Sequence, residues 1–355
     1  MKNNVGKLKN IKFSRLWKLL FLCFIISSGV WAESTTLTLP ILFSAPDTGI
    51  GYGVMTEVRT STTDNIKSSF GLSAYGTQKK QSAFSVFGDT RVSQYRLLAS
   101  AGVEHTLDYF YGIGKRAHWD DFEKYSAAIS AGSLSVLLPV TQDVFVGPVF
   151  TARRFQVTEI ERDKVLFNQD VPGSTGLTAQ GLGGQLIIDT RDFGLSPHAG
   201  SYFNFSVIPY YKQAVTDYAF CQTNVDYRYY YDLQDDRVLA SQVQLRTVTG
   251  EIVPWPMLTS FDLRGYSVTR WLDRNSVTLQ TEYRFPLNES FNAALFLGAG
   301  QIADSLQHLS FGDMHTLYGG GLRYWLDKMN RLCVRVDIAL GQDGAGLYIV
   351  LHEAF

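Results

Sequence analysis

A two-residue rhythm of apolar and polar side chains recurs along most of this chain, and a helical rhythm almost never replaces it. In 276–287, Val277, Leu279, Thr281, Tyr283 and Phe285 share one face, while Thr278, Gln280, Glu282 and Arg284 share the other. In 331–341, Leu332, Val334, Val336, Ile338 and Leu340 oppose Cys333, Arg335, Asp337, Ala339 and Gly341. In 223–232, Val225, Tyr227, Tyr229 and Tyr231 oppose Asn224, Asp226, Arg228 and Tyr230. Period two with one apolar face is the signature of a half-buried strand.

Two media can take that apolar face. A soluble sandwich hides it in a core, whereas a membrane barrel turns it to lipid and keeps the polar face in the lumen. Here the polar faces carry both signs of charge along successive strands. Aromatic residues gather near strand ends: Tyr229, Tyr230 and Tyr231, Tyr210 and Tyr211, and Trp325. Such girdles suit a membrane–water interface. The segments run to about ten residues or more, the length of a tilted transmembrane strand.

Read back from the C-terminus, the rhythm predicts strands at 344–355, 330–341, 316–327, 291–302, 275–287, 237–250, 217–232 and 201–211. It continues through 181–192, 142–157, 124–138, 94–104, 81–91, 68–78, 49–60 and 35–44. The expected fold is therefore all-β: a single transmembrane antiparallel β-barrel of sixteen strands, the even number that closure requires. Short turns alternate with longer loops at 105–123, 158–180, 251–274 and 303–315, and long loops belong outside the cell. The last strand, 344–355, is expected to set Leu347, Ile349, Leu351 and the final Phe355 toward lipid, with Phe355 serving as the C-terminal assembly signal.

Residues 1–32 read as a secretory signal peptide, leaving 33–355 as the barrel. Lys2, Lys7, Lys9, Lys12, Arg15 and Lys18 precede an apolar run from Leu19 to Val30, which ends at Ala32. Its twelve residues are too few to cross ~30 Å of hydrocarbon as a helix. Leu22 is too large for lipoprotein processing at Cys23. Without this leader, 26 basic residues face 33 acidic ones, a net charge of −7. That balance offers no basic stripe for nucleic acid. Of the three cysteines, Cys221 and Cys333 remain after cleavage, predicted outward and inward on distant strands, an unsuitable geometry for a disulfide.

Within this frame, 181–207 (GLGGQLIIDTRDFGLSPHAGSYFNFSV) resembles the strand–turn–strand signature of the bacterial surface antigen family. That family includes the BamA and TamA insertase barrels and the two-partner secretion transporters. Leu263, Arg264, Gly265 and Tyr266 resemble its (V/I/L)-R-G-(F/Y) loop signature, and 275–287 and 318–355 resemble its closing strands. The likeness is close over roughly 180–355 and looser before it. It implies that 251–274 folds back into the lumen, where the arginine contacts acidic or aromatic groups of the wall. A guanidinium fork suits a carboxylate, and Gly265 permits a turn that other residues would strain.

The family often carries an aspartate in an F-x-D-x-G pattern. Here Phe296, Gly298 and Gly300 occupy that pattern, with glycine in the acid's place. Alternation puts Glu282 and Asp337 on the lumen face, so Glu282, Asp337 and Phe296 are the candidate partners of Arg264. Asp189, Arg191, Asp192, Pro197 and Gly200 form the strand–turn signature, with an expected structural role at the periplasmic rim. A second departure is that 33–355 leaves no stretch for the periplasmic POTRA domains that bind clients in this family.

His105, His118, His198, His308, His315 and His352 fall in no serine-hydrolase or metal-ligand pattern, so no enzyme activity, cofactor or metal is expected. The resemblance implies a Gram-negative outer-membrane protein that assists insertion or translocation of proteins or lipids. Its expected partners are outer-membrane lipid, the barrel assembly machinery through the C-terminal strand, and clients of unspecified kind. The alternatives are a passive pore, a surface receptor barrel, or an accessory subunit of the assembly machinery.

Overall fold

Each segment of alternating side chains forms a strand that pairs antiparallel with its sequence neighbours, and the series closes on itself. The computed structural model describes residues 33–45, 48–61, 67–115, 122–194, 196–212, 217–328 and 331–355; the leader expected over 1–32 lies outside them. In chain order the strands are β1 (Glu33–Ala45), β2 (Gly49–Ser61), β3 (Lys67–Thr77), β4 (Ser82–Val92), β5 (Tyr95–Phe110) and β6 (Glu123–Pro139). Then follow β7 (Val144–Ile160), β8 (Leu177–Asp189), β9 (Gly200–Tyr210), β10 (Phe220–Asp232) and β11 (Val238–Thr249). The last five are β12 (Asn275–Pro286), β13 (Phe291–Ala303), β14 (His315–Asp327), β15 (Leu332–Gly341) and β16 (Gly344–Leu351). β1 closes the barrel on β16, so the expected sixteen-strand antiparallel barrel is the observed fold.

The two faces sort as a membrane barrel demands. Glu282, Arg323 and Asp337 are wholly buried on the inside, whereas their strand neighbours Ile338 and Leu322 and the nearby Leu297 are 57%, 48% and 65% exposed on the outside. Cys333 is buried on the lumen face. Cys221 lies on the face opposite Gln222, whose amide reaches Met257 O inside (3.4 Å). Both thiols are free.

Two loops are shorter than the sequence suggests. β5 continues to Phe110 and β7 to Ile160, so the long loops span 111–122 and 161–176 rather than 105–123 and 158–180. The extra residues pair with β6, as in Phe110↔Glu123 and Ser126↔Glu159. Charged side chains such as Asp108 and Glu159 look like loop residues, yet a ladder satisfies their backbone beyond the apolar band.

The seam is the weakest join in the sheet. Among the described residues, β1 meets β16 through three residue pairs: Leu42↔Ile349, Phe43↔Tyr348 and Ser44↔Leu347. On their other sides, β1 aligns thirteen pairs with β2, and β16 aligns eight with β15. In the seam register Leu351 would stand opposite Pro40, which has no N–H to give a ladder.

One expectation is overturned at this end. β16 stops at Leu351, and Phe355 does not face lipid. The chain turns inward at His352 (φ +63°), and Phe355 is buried with Tyr230, Val238 and Ala240 inside the barrel. Continued alternation would have placed Glu353 on the same lipid-facing side as Ile349 and Leu351. A carboxylate there is costly, and inward turning gives it arginine partners instead.

Candidate functional site

The segment 250–274 between β11 and β12 enters the lumen from the end that carries the long loops. At its entry, Trp255 packs against Phe110, Tyr125 and Phe155, with ring centroids 5.3, 5.1 and 5.2 Å away. Thr259 and Asp273 exchange backbone hydrogen bonds of 2.8 and 3.0 Å across the neck of the loop. Beyond that pinch, Phe261, Leu263, Tyr266 and Trp271 form a buried cluster with Phe296, Ile302, Leu317 and Ala339 of the wall. Apolar burial thus carries the loop inward before any charge is considered.

Gly265 makes the turn. Its φ is +85°, and a Cβ there would lie 3.3 Å from Gly341 N. Its N–H donates to Tyr348 Oη at 2.8 Å, so the loop holds a side chain of the seam itself. Tyr266 Oη donates to Thr316 O and accepts from Gln342 N–H (3.1 Å).

Arg264 sits at the base of this turn. It lies 3.5 Å from the Phe296 ring centroid. Its guanidinium donates to Asp337 Oδ2 and to Glu282 Oε2, the latter at 3.1 Å. Those two carboxylates are shared with three further arginines. Arg323 donates to Asp337 Oδ1 and Glu282 Oε1, each at 2.6 Å, and to Glu353 Oε2 at 3.0 Å. Arg335 donates to Asp337 Oδ2 (2.8 Å), and Arg284 donates to Glu282 Oε1 (3.0 Å). Burial of lone charges at this depth would be prohibitive, but here each carboxylate meets at least two guanidiniums.

The wall makes room for the cluster by omitting side chains. A Cβ at Gly319 would lie 2.4 Å from the Phe296 ring, and one at Gly321 would lie 2.0 Å from Asp337 Oδ1. The family's acid position, Gly298, contributes no carboxylate. Arg264 instead meets Glu282 of β12 and Asp337 of β15.

A second clamp grips the loop near the outer rim. Arg270 Nη1 donates to Asp343 Oδ1 (2.7 Å), and Trp271 Nε1 donates to Asp343 Oδ2 (3.0 Å). Asp343 occupies the β15–β16 turn. Burial pushes its carboxyl above the usual range, against the pull of Arg270, and burial likewise lowers the Arg270 guanidinium.

The strand–turn signature lies at the opposite end. Asp189 accepts from Arg191 Nε (2.8 Å) and Nη2 (2.9 Å) and from Arg96 (3.5 Å). Asp192 Oδ1 accepts the N–H groups of Phe193 and His198 (2.9 and 3.0 Å), and its Oδ2 pairs with Arg331 (3.2 Å). Gly200 starts β9 at φ +99°. Pro197 O accepts from Arg284 Nη1 at 3.5 Å, so this turn reaches the underside of the arginine cluster.

Sequence reasoning singled out Arg264, Glu282, Phe296 and Asp337, and the structure brings them together. It did not single out Arg323, Glu353, Tyr348 or the Arg270–Asp343 clamp. Arg284 and Arg335 were visible only as polar-face residues; a count of lumen-facing arginines on β12 to β15 was the available signal.

A family model described as the Omp85 superfamily domain matches residues 62–326. Among solved structures, the chain resembles BamA from Haemophilus ducreyi lacking POTRA domains 1–3 (TM-score 0.57, 14% identity), over 90% of this chain and 70% of that one. It also resembles CdiB from Acinetobacter baumannii (TM-score 0.56, 11% identity, 89% of this chain and 59% of that one). CdiB from Escherichia coli is similar too (TM-score 0.57, 10% identity, 91% and 64%). The chain therefore spans less than two thirds of either CdiB chain. No curated protein matches it.

Proposed function

Because this chain belongs to the Omp85 superfamily, we propose that it assists insertion or translocation of proteins or lipids at the outer membrane of a Gram-negative bacterium. The observation that supports this reading most is the seam, where three pairs join β1 to β16. Each antiparallel pair lost there exposes backbone groups that an incoming strand can satisfy. The short join therefore opens at lower cost than any other in the sheet. In this reading Arg264 anchors the loop over the lumen while Gly265 holds Tyr348, and the seam is the moving part.

A seam lock tests it. Leu42 and Ile349 stand opposite each other, so a Leu42→Cys, Ile349→Cys barrel can be closed by oxidation. In liposomes the locked barrel is expected to lose capture of an unfolded barrel precursor and regain it on reduction. Equal capture by locked and reduced barrels contradicts the reading.

A cavity of about 490 Å³ favours a second reading. It lies across the lumen on the β4–β10 side and is lined by Ser85, Ser100, Ser133, Thr151, Arg153 and Gln222 among others. A passive pore uses this side of the lumen, with the loop as its plug. Steady ion conductance that rises when 255–270 is deleted supports the pore, and conductance unchanged by that deletion opposes it.

A further inference from the structure

Arg153 of β7 is a lumen arginine outside the cluster around Glu282 and Asp337. It stands two residues from Phe155 on the inner face, and Phe155 packs on Trp255 at the loop entry. Elsewhere in the lumen, Arg59, Arg96 and Arg228 hold Glu57, Asp89 and Asp226 at 3.1, 2.7 and 2.6 Å. Arg153 makes no hydrogen bond or ion pair among the described residues, and its Nε is buried without an acceptor. Glu104 of β5 acts on it electrostatically but is held away by the register. Gly102↔Ala131↔Arg153 form one row across β5, β6 and β7, and Glu104↔Ile129↔Phe155 form another. A whole strand therefore stands between the two charges, which sets their backbones about 10 Å apart.

What Arg153 does face is the cavity of about 490 Å³ on the β4–β10 side. Ser100 and Ala131 point inward there and are nonetheless exposed, so the space before the guanidinium is open. Ser85, Ser100, Ser133 and Thr151 set hydroxyls along it, and Phe87 and Met257 add apolar wall. Met257 belongs to the lumen loop, and its O accepts from Gln222 Nε2 (3.4 Å). The volume falls in the range of small-molecule sites, about 300–1,000 Å³. A guanidinium kept from water without an acceptor costs stability, and its planar fork matches a carboxylate or phosphate.

We propose that this cavity binds a small hydroxylated organic anion, with its carboxylate or phosphate on Arg153 and its hydroxyls on the serine ledge. Glu104 offsets the charge of Arg153, so the fork, rather than a net positive field, holds the anion. The site goes beyond the insertase reading, because it needs neither an open seam nor a client.

Calorimetric titration of detergent-solubilised barrel, with folding checked by heat-modifiable migration, tests it. Sodium gluconate, sodium glycerol 3-phosphate and neutral glycerol are the probes. One site per barrel with Kd below about 1 mM is expected for at least one of the two anions, and none for glycerol. Which anion binds tells a carboxylate ligand from a phosphate one. Arg153→Gln is expected to weaken binding about tenfold or more, the effect of losing a charge-assisted hydrogen bond. Arg153→Lys keeps the charge without the fork and should weaken it similarly. Arg228→Gln removes an arginine that already holds Asp226 and should leave binding unchanged. Failure of both anions to bind overturns the proposal, as does equal binding by folded Arg153→Gln barrel or an equal loss in Arg228→Gln. If Arg153→Gln fails to fold, phenylglyoxal modification of the unaltered barrel decides: the bound anion should shield Arg153, and modification of Arg153 unslowed by either anion overturns the proposal.

Discussion

Replacing Arg264 with alanine isolates what the loop arginine contributes. The side chain donates to Asp337 and Glu282 and stacks on Phe296. A hydrogen bond to a charged group is worth about 1.5–3 kcal/mol, so two bonds and a stack suggest a large loss. Breaking an isolated buried pair costs about 3–5 kcal/mol because the partner is left unpaired. Here neither carboxylate is left alone, since Arg323 and Arg335 still hold Asp337, while Arg323 and Arg284 still hold Glu282. The cluster also moves from four guanidiniums against three carboxylates to three against three. The expected cost is therefore about 2–3 kcal/mol, below that of an isolated pair. Phe261, Leu263 and Tyr266 keep the loop docked at equilibrium, but its open population should rise about 30- to 150-fold. Hydrogen exchange of the amides in 261–266, with protease nicking as a second readout, measures that rise in detergent-solubilised barrel. Asp337→Asn, which takes one of three carboxylates from four arginines, should cost more than Arg264→Ala. A change below about 0.5 kcal/mol for Arg264→Ala, or a smaller effect for Asp337→Asn, refutes the shared-carboxylate account.

Gly265→Ala forces a Cβ onto a residue at φ +85° and should weaken loop docking by about 1–2 kcal/mol, seen as faster exchange of the same amides. Gly321→Ala would put a methyl 2.0 Å from Asp337 Oδ1, and folded, heat-modifiable barrel is expected to drop sharply in yield. Phe355→Ala empties a buried site among Tyr230, Val238 and Ala240 and should cost about 3 kcal/mol in urea unfolding. Acid acts on the outer clamp with a defined sign. The raised pKa of Asp343 means that the docked loop binds this proton more tightly than the free loop does. Its contribution is full below the ordinary carboxylate range and is lost as pH rises through the raised value. Loop protection in the native barrel should therefore gain, relative to Asp343→Asn, when pH falls from 7 to 4. A relative loss contradicts the burial that lifts this group.

The barrel was legible because one physical rule repeats sixteen times: each strand must alternate to face lipid and lumen at once. Glu282 and Asp337 could be named as lumen acids for the same reason. Alternation cannot say where a chain leaves the sheet, and it read Phe355 as the end of a twelve-residue strand. The warning was Glu353, which stands on the lipid side if β16 continues. The ends of β5 and β7 were misread because charged residues are ordinary on strands once these pass the apolar band. Arg323 and Arg270 were missed for another reason: a guanidinium's partners come from strands and turns distant in sequence, and no local pattern marks the shared carboxylate.

The proposed function places the work of this protein at the β1–β16 seam. Photo-reactive residues at Ile41 on β1 and Val350 on β16, beside the three closing pairs, test it by crosslinking and pull-down from outer membranes. Capture of barrel precursors or lipid-carrying proteins is expected at both positions, and none from a control position in the middle of β7. A seam that captures no more than β7 contradicts it.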